Sequence, residues 1–224
     1  MSQFDLSSAA LDQQTPQDPL EYALMARDRD VLTMVRDALA HNNAALAFQP
    51  VVQANAPGQV AFYECLIRVL DQTGRIIPAG QFMGAIEETE LGREIDVASL
   101  RLALAILNEA PQRRLSVNVS ARSLGDSAWR RTLDGALERD DTICERLILE
   151  ISEDSAMQLP EVVQRFMEEM QPFGLAFALD DFGAGMTAFR YLKDFFFDLV
   201  KVDGIFTRRI DQNPDNQVIA EALI

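Results

Sequence analysis

Between Leu24 and Leu39, apolar residues recur at helical spacing (Leu24, Val31, Leu32, Val35, Leu39) with Asp and Arg between them, predicting one helix or two short ones. This helical segment takes in residues 20–43. The residues before it, 1–19, are rich in Ser, Gln, Asp and Pro without sustained periodicity, the pattern of a flexible lead-in. After Asn43 the pattern changes to short apolar runs: Leu46–Val52, Val60–Val69, Leu115–Val119, Leu147–Ile151, Leu175–Leu179 and Leu199–Val202. Helix-like stretches separate them, notably Phe82–Asn108, Ser123–Arg139, Pro160–Gln171 and Thr187–Asp194. Corresponding strand ends at Asn118, Glu150, Asp180 and Asp203 follow one another at 32, 30 and 23 residues, about one βα repeat. The expected fold is therefore parallel α/β, with residues 44–224 forming its main domain.

A charged or amide residue stands near the C-terminal end of nearly every run: Glu64 and Arg68, Asn118, Glu150, Asp180 with Asp181, then Lys201 and Asp203. Carboxylates within apolar strands are costly to bury unless they are paired or bind a cation. In a β/α barrel these ends converge on the rim that carries active sites. Period-two alternation puts Glu64 and Arg68 on one face, and Lys201 and Asp203 on one face. Adjacent Asp180 and Asp181 point opposite ways unless the strand ends or bends there, which Gly183 permits.

Composition narrows the chemistry. The 224 residues carry 35 acidic and 20 basic side chains, a net charge of −15. With no basic patch, polymeric nucleic acid and anionic membranes are poor partners, and an anionic ligand calls for bound cations. The 48% apolar content suits a globular core. No signal-like start and no run of 18 apolar residues occurs, so the sequence reads as a soluble cytoplasmic protein. A single histidine, His41, excludes histidine metal clusters and reads as a solvated helix end; Cys65 and Cys144 form no zinc knuckle.

Two short patterns are decoys. Gly183–Ala188 fits the spacing of a dinucleotide-binding turn, with Asp203 twenty residues beyond, but paired aspartates precede it and it is the sixth unit in a row of strands. Asp181-Phe182-Gly183 spells a kinase triplet with no accompanying His-Arg-Asp loop. The acidic rim has a bland reading too, as salt bridges with Arg68 and Lys201. Taken together, though, four carboxylates and an amide oxygen make a hard donor set suited to Mg²⁺ or Mn²⁺. Two such ions can support an in-line phosphoryl displacement.

The segments Tyr63-Glu64-Cys65-Leu66-Ile67-Arg68, Ser116–Ser120, Leu149–Glu153, Asp180–Gly183 and Val200–Asp203, with Phe48-Gln49-Pro50 as an opening strand, resemble EAL domains in order and spacing. The resemblance implies a TIM-like β/α barrel with an antiparallel first strand and hydrolysis of cyclic di-GMP to linear pGpG in bacterial second-messenger signalling. It implies metal ligation by Glu64, Asn118, Glu150 and Asp180, with Asp181 serving a second metal. Catalysis falls to Lys201, orienting water, with Glu64 and Asp180; Arg68 contacts substrate phosphate and Glu153 holds the loop after Asp181. It further implies homodimer contacts. Departures are Cys65 in place of a small alanine, and Ala184 and Met186 where Thr and Tyr are usual. The family barrel also continues past the helix beginning near Asn216 to two more strands and a further metal-site glutamate, whereas this sequence ends at Ile224, making the barrel expected here an incomplete one. The alternative function is an inactive module of the same fold that binds cyclic di-GMP or a protein partner as a receptor.

Overall fold

The computed structural model describes residues 19–183 and 195–223, with side chains described for 29–183 and 195–222. The expected lead-in up to residue 18, the stretch Thr187–Asp194, and Ala184 and Met186 lie outside the described residues. The N-terminal periodicity forms one helix, α1 (Pro19–Ala40). His41 follows it, exposed, with its backbone N–H on the carbonyl of Asp37.

Six of the seven strands coincide with the apolar runs: β1 (Ala44–Gln53), β2 (Ala56–Leu70), β4 (Leu115–Asn118), β5 (Leu147–Ser152), β6 (Ala176–Phe182) and β7 (Leu199–Val202). The seventh, β3 (Ile76–Pro78), is a short antiparallel partner of β2. The sheet is curled and runs β1-β2-β4-β5-β6-β7, with β1 antiparallel to β2 and every later pair in that order parallel. β5 is an unbroken apolar run apart from Glu150 and is buried from Leu147 to Ile151, as a central parallel strand covered on both faces should be. Among the described residues, β1 and β7 pair with no strand on their outer sides.

Alternation sorts the side chains into two layers. Cys65, Val117, Leu147, Leu149, Phe177 and Leu179 face outward into the main core, against α3 (Glu90–Glu109), α5 (Ser127–Leu137) and α7 (Pro160–Met170). There Trp129, Phe166 and Phe177 stack edge to face, centroids 5.7 and 6.0 Å apart, tying α5 and α7 to β6. Each such aromatic stabilises the fold by about 1.5–3 kcal/mol through burial. α1 joins a second cluster in which Val35 and Ala38 meet Ile67, Val69 and Ile95. The inner face is thinly apolar, with Phe62, Ile148 and Ala178 at its floor.

The stretch Phe82–Asn108 is not one helix. It breaks into α2 (Met83–Ile86) and α3 at a turn in which the Thr89 N–H and hydroxyl both donate to the Ile86 carbonyl. A Cβ at Gly92 would stand 2.7 Å from the carbonyl oxygen of Ile86, so only glycine allows this approach. Ser123–Arg139 divides likewise into α4 (Ala121–Leu124) and α5, with Asp126 capping the latter through the N–H groups of Ala128 and Trp129. No helix among the described residues is long and apolar enough to cross a membrane.

Candidate functional site

The inner face of the sheet delivers polar side chains to one end. On β2, Phe62 lies at the floor and Glu64 two residues above it, the pairing Glu64↔Ser116 setting its height against β4. Asn118 pairs with Glu150, and Ser152 with Asp180, so the strand ends rise in step around the rim. Lys201 comes from β7 by the same alternation.

Four of the expected residues meet directly. Lys201 Nζ lies 2.5 Å from Glu150 Oε2, 3.0 Å from Asp180 Oδ2 and 3.3 Å from Glu64 Oε2. Single oxygens of Glu64, Glu150 and Asp180 all lie within 4.8 Å of one another. The Asn118 amide reaches the edge of this group, 3.5 Å from Glu64 Oε1. The Glu150 side chain is fully buried, and its second oxygen, Oε1, accepts no hydrogen bond. The neighbouring Ser116 hydroxyl is buried and likewise has no partner in hydrogen-bond geometry, although it lies close enough to Glu150 to favour the charged carboxylate. A carboxylate oxygen left bare among other oxygen donors, with no sulfur or imidazole in the group, fits a hard divalent cation.

Electrostatics follow from this crowding. Burial raises the Glu150 carboxyl above its ordinary range, and the Lys201 hydrogen bond opposes that shift without cancelling it. For Lys201, burial works against the charge, but the Glu150 hydrogen bond and the charges of Glu150, Asp180 and Glu64 outweigh it and raise the ammonium above its usual value. Lys201 is therefore a fixed cation. Burial also lifts the Cys65 thiol to about 12, with help from Glu150 and Glu64.

Asp181 does not enter the three-carboxylate group. The chain turns at its position with φ 54°, then at Gly183 with φ 92°, which sets Asp181 on the exposed rim. Its carboxyl is raised by desolvation and then by the charges of Asp180 and Asp203. The bend expected from the paired aspartates thus begins one residue before the strand's own end. Buried Glu153 accepts the Gly183 N–H at 3.0 Å, holding the turn after Asp181. Arg68 shares the face of β2 with Glu64 and donates to the Ile67 carbonyl.

A cleft of about 430 Å³ opens beside the carboxylates, lined by Asn118, Glu150, Glu153 and Asp181 together with Arg122 and Asp96. The last two are absent from the sequence-derived set. Arg122 is held by Glu88, through both its carboxylate and its backbone carbonyl. Asp96 is buried on α3 and accepts from Ser120 N at 3.0 Å and Ser123 Oγ at 2.7 Å. Its only sequence signal is a carboxylate on the apolar side of a helix.

Comparisons with known proteins bear on this geometry. The EAL domain model matches residues 32–224, near the full length of the domain. The chain is 28% identical over 193 residues to the cyclic di-GMP phosphodiesterase PdeB of Shewanella oneidensis, covering 84% of this chain and 22% of that protein. It is 30% identical over 164 residues to the cyclic di-GMP phosphodiesterase PdeA of Borreliella burgdorferi, covering 71% of this chain and 24% of that protein. The chain thus spans about a quarter of the length of these relatives. Among solved structures it is similar to the FimX EAL domain of Pseudomonas aeruginosa bound to c-di-GMP, with TM-score 0.76 and 29% identity over 87% of this chain and 79% of that one. The PaMucR phosphodiesterase in complex with c-di-GMP aligns with TM-score 0.71 and 26% identity, over 86% of this chain and 80% of that one. The curled sheet is accordingly that of a TIM-like β/α barrel.

Proposed function

Because the chain belongs to the EAL domain family, we propose that it binds cyclic di-GMP in the cleft at the strand ends and hydrolyses it to linear pGpG, in cytoplasmic second-messenger signalling. The observation that carries this reading is the group of Glu64, Glu150 and Asp180 around Lys201, with Glu150 Oε1 buried and unpartnered. Glu64, Asn118, Glu150 and Asp180 would hold Mg²⁺ or Mn²⁺, with Asp181 toward a second ion. When bound, the cation would supply Lewis-acid charge against the phosphodiester.

The chain's own residues do the rest. Lys201, permanently protonated, cannot be a general base; it donates hydrogen bonds and orients the water that attacks phosphorus. The water oxygen bonds to phosphorus as the P–O3′ bond breaks, leaving a 5′-phosphate at one end of the product and a 3′-hydroxyl at the other, the proton lost by the water matched by the one gained at O3′. Arg68 provides a guanidinium for a non-reacting phosphate, offsetting a chain of net charge −15. Glu153 keeps the Gly183 turn in place, and with it Asp181.

Incubation of the protein with cyclic di-GMP and Mn²⁺ or Mg²⁺, followed by chromatography, tests the proposal. Linear pGpG is expected, abolished by chelator. Tight binding of the cyclic dinucleotide with no linear product would overturn the enzyme reading and leave a receptor of the same fold.

A further inference from the structure

Asn118 stands at the last position of β4, and the backbone leaves the strand at once for α4. Such a residue is only as well placed as the turn that follows it. That turn is held from behind. One oxygen of Asp96, Oδ2, accepts both Ser120 N and Ser123 Oγ, while the Ser120 hydroxyl caps α4 by accepting Ser123 N. From the other side, the next N–H, that of Ala121, is accepted by Ser155 Oγ at the start of the helix after β5. Ser120 and Ala121 are thus fixed by two different elements, α3 and the β5 end, within three residues of Asn118.

We propose that Asp96 is a positioning residue for Asn118, anchoring the turn after β4 to α3 so that the Asn118 amide is presented to the carboxylate group. A buried carboxylate in a helix is an expensive choice unless its acceptor capacity is used, and here it is used on a backbone N–H and a buried hydroxyl of the site-bearing loop. Partners of this kind, one shell behind a metal ligand, change metal affinity without touching the ion. The inference rests on the reading of Asn118 as a ligand.

The test is Mn²⁺ binding by the full chain, measured calorimetrically with the metal alone, alongside melting temperature in chelator. Asp96→Ala should weaken Mn²⁺ binding by about tenfold. Asp96→Asn should restore it to within about threefold, because a single oxygen accepts both bonds and the amide oxygen can take that place. Ser123→Ala, which removes one bond and opens little space, should shift affinity in the same direction by a smaller factor, and carries the test if Asp96→Ala does not fold. Val163→Ala, a core truncation on α7, should lower the melting temperature without changing Mn²⁺ affinity, separating positioning from general loss of stability. Asn118→Ala separates the two layers of argument. If it weakens Mn²⁺ binding while folded Asp96→Ala or Ser123→Ala leaves binding unchanged, the positioning role is overturned and the ligand reading stands. If Asn118→Ala itself leaves binding unchanged, the ligand reading and the inference both fall, whereas hydrolysis of cyclic di-GMP is judged independently.

Discussion

Lys201 Nζ approaches Glu150 Oε2 to 2.5 Å, while Oε1 of the same carboxylate is buried and accepts nothing. One oxygen is neutralised by a fixed cation of the chain, and the other keeps its lone pairs. The group therefore folds as a partly compensated charge cluster whose remaining demand is for positive charge.

Replacing Lys201 by methionine should expose that demand. With no ammonium, three carboxylates face one another, and the metal-free protein should lose about 3 kcal/mol, the lower end for a broken buried pair because Lys201 is partly solvent-exposed. Melting with and without Mn²⁺ checks this. The variant should gain more from the ion than wild type does, and an equal gain would contradict the proposed ligand set.

Asp180→Asn should weaken Mn²⁺ binding, since it removes a charge from the three-carboxylate group while keeping the side chain's shape. Titration calorimetry of both proteins decides it. Equal affinities would remove Asp180 from the set.

Kinetics separate the two cations of β2 and β7. Lys201→Ala should lower kcat by at least about a hundredfold with little change in cyclic di-GMP affinity, whereas Arg68→Ala should raise KM, a uniform loss of binding. Steady-state rates of pGpG release would show the split. A matching fall in kcat for both variants would leave Arg68 without a distinct role.

The cysteines should be silent. Burial lifts the Cys144 thiol to about 11 and the Cys65 thiol to about 12, so neither is a thiolate at pH 8. A thiol-reactive dye should label the native protein negligibly and two sites after denaturation. Rapid labelling of the native protein at either position would mean that the core around it opens.

Asp96 should leave a trace in the pH dependence of stability. Burial raises its carboxyl, against the opposing hydrogen bonds of Ser120 and Ser123. As pH rises from the ordinary carboxylate value, about 3.9, the unfolded chain releases this proton first, so stability is lost until the raised folded value is passed. Asp96→Asn has no such proton. Its melting temperature relative to wild type should climb between pH 4 and pH 7, and a flat or falling difference would mean the carboxyl is not raised.

Much of this architecture was legible because it depends on period and spacing. Leu147–Ile151 reads as a buried strand, and Glu150 is conspicuous as the one charge within it. A βα spacing of 32, 30 and 23 residues from Asn118 to Glu150, Asp180 and Asp203 then brings Glu150, Asp180 and Lys201 to the same rim without any knowledge of the loops, and Glu64 joins them through the pairing of β2 with β4. What escaped notice depends on close approach. The break between α2 and α3 turns on Gly92 meeting the Ile86 carbonyl, a contact that helical periodicity does not register. Asp96 escaped for a related reason: its partners, Ser120 and Ser123, lie more than twenty residues away, and no local pattern links an acid on a helix to a serine hydroxyl beyond the next strand. β3 is three residues long, too short for alternation to declare itself.

The left-handed backbone at Asp181 constrains what can ever occupy that position. Of the side chains that reach φ near +55°, glycine, asparagine and aspartate do so most readily, and only the last brings a full negative charge. Glutamate would keep the charge but strain the main chain, and valine or isoleucine would fail on both counts. Two independent filters, one conformational and one chemical, therefore overlap on a single residue. In a library randomised at 181 and sorted only for soluble folded protein, glycine, asparagine and aspartate should be enriched and β-branched residues depleted before any selection for turnover is imposed, with unbranched side chains tolerated at a modest cost, as Arg209 is at φ 54°.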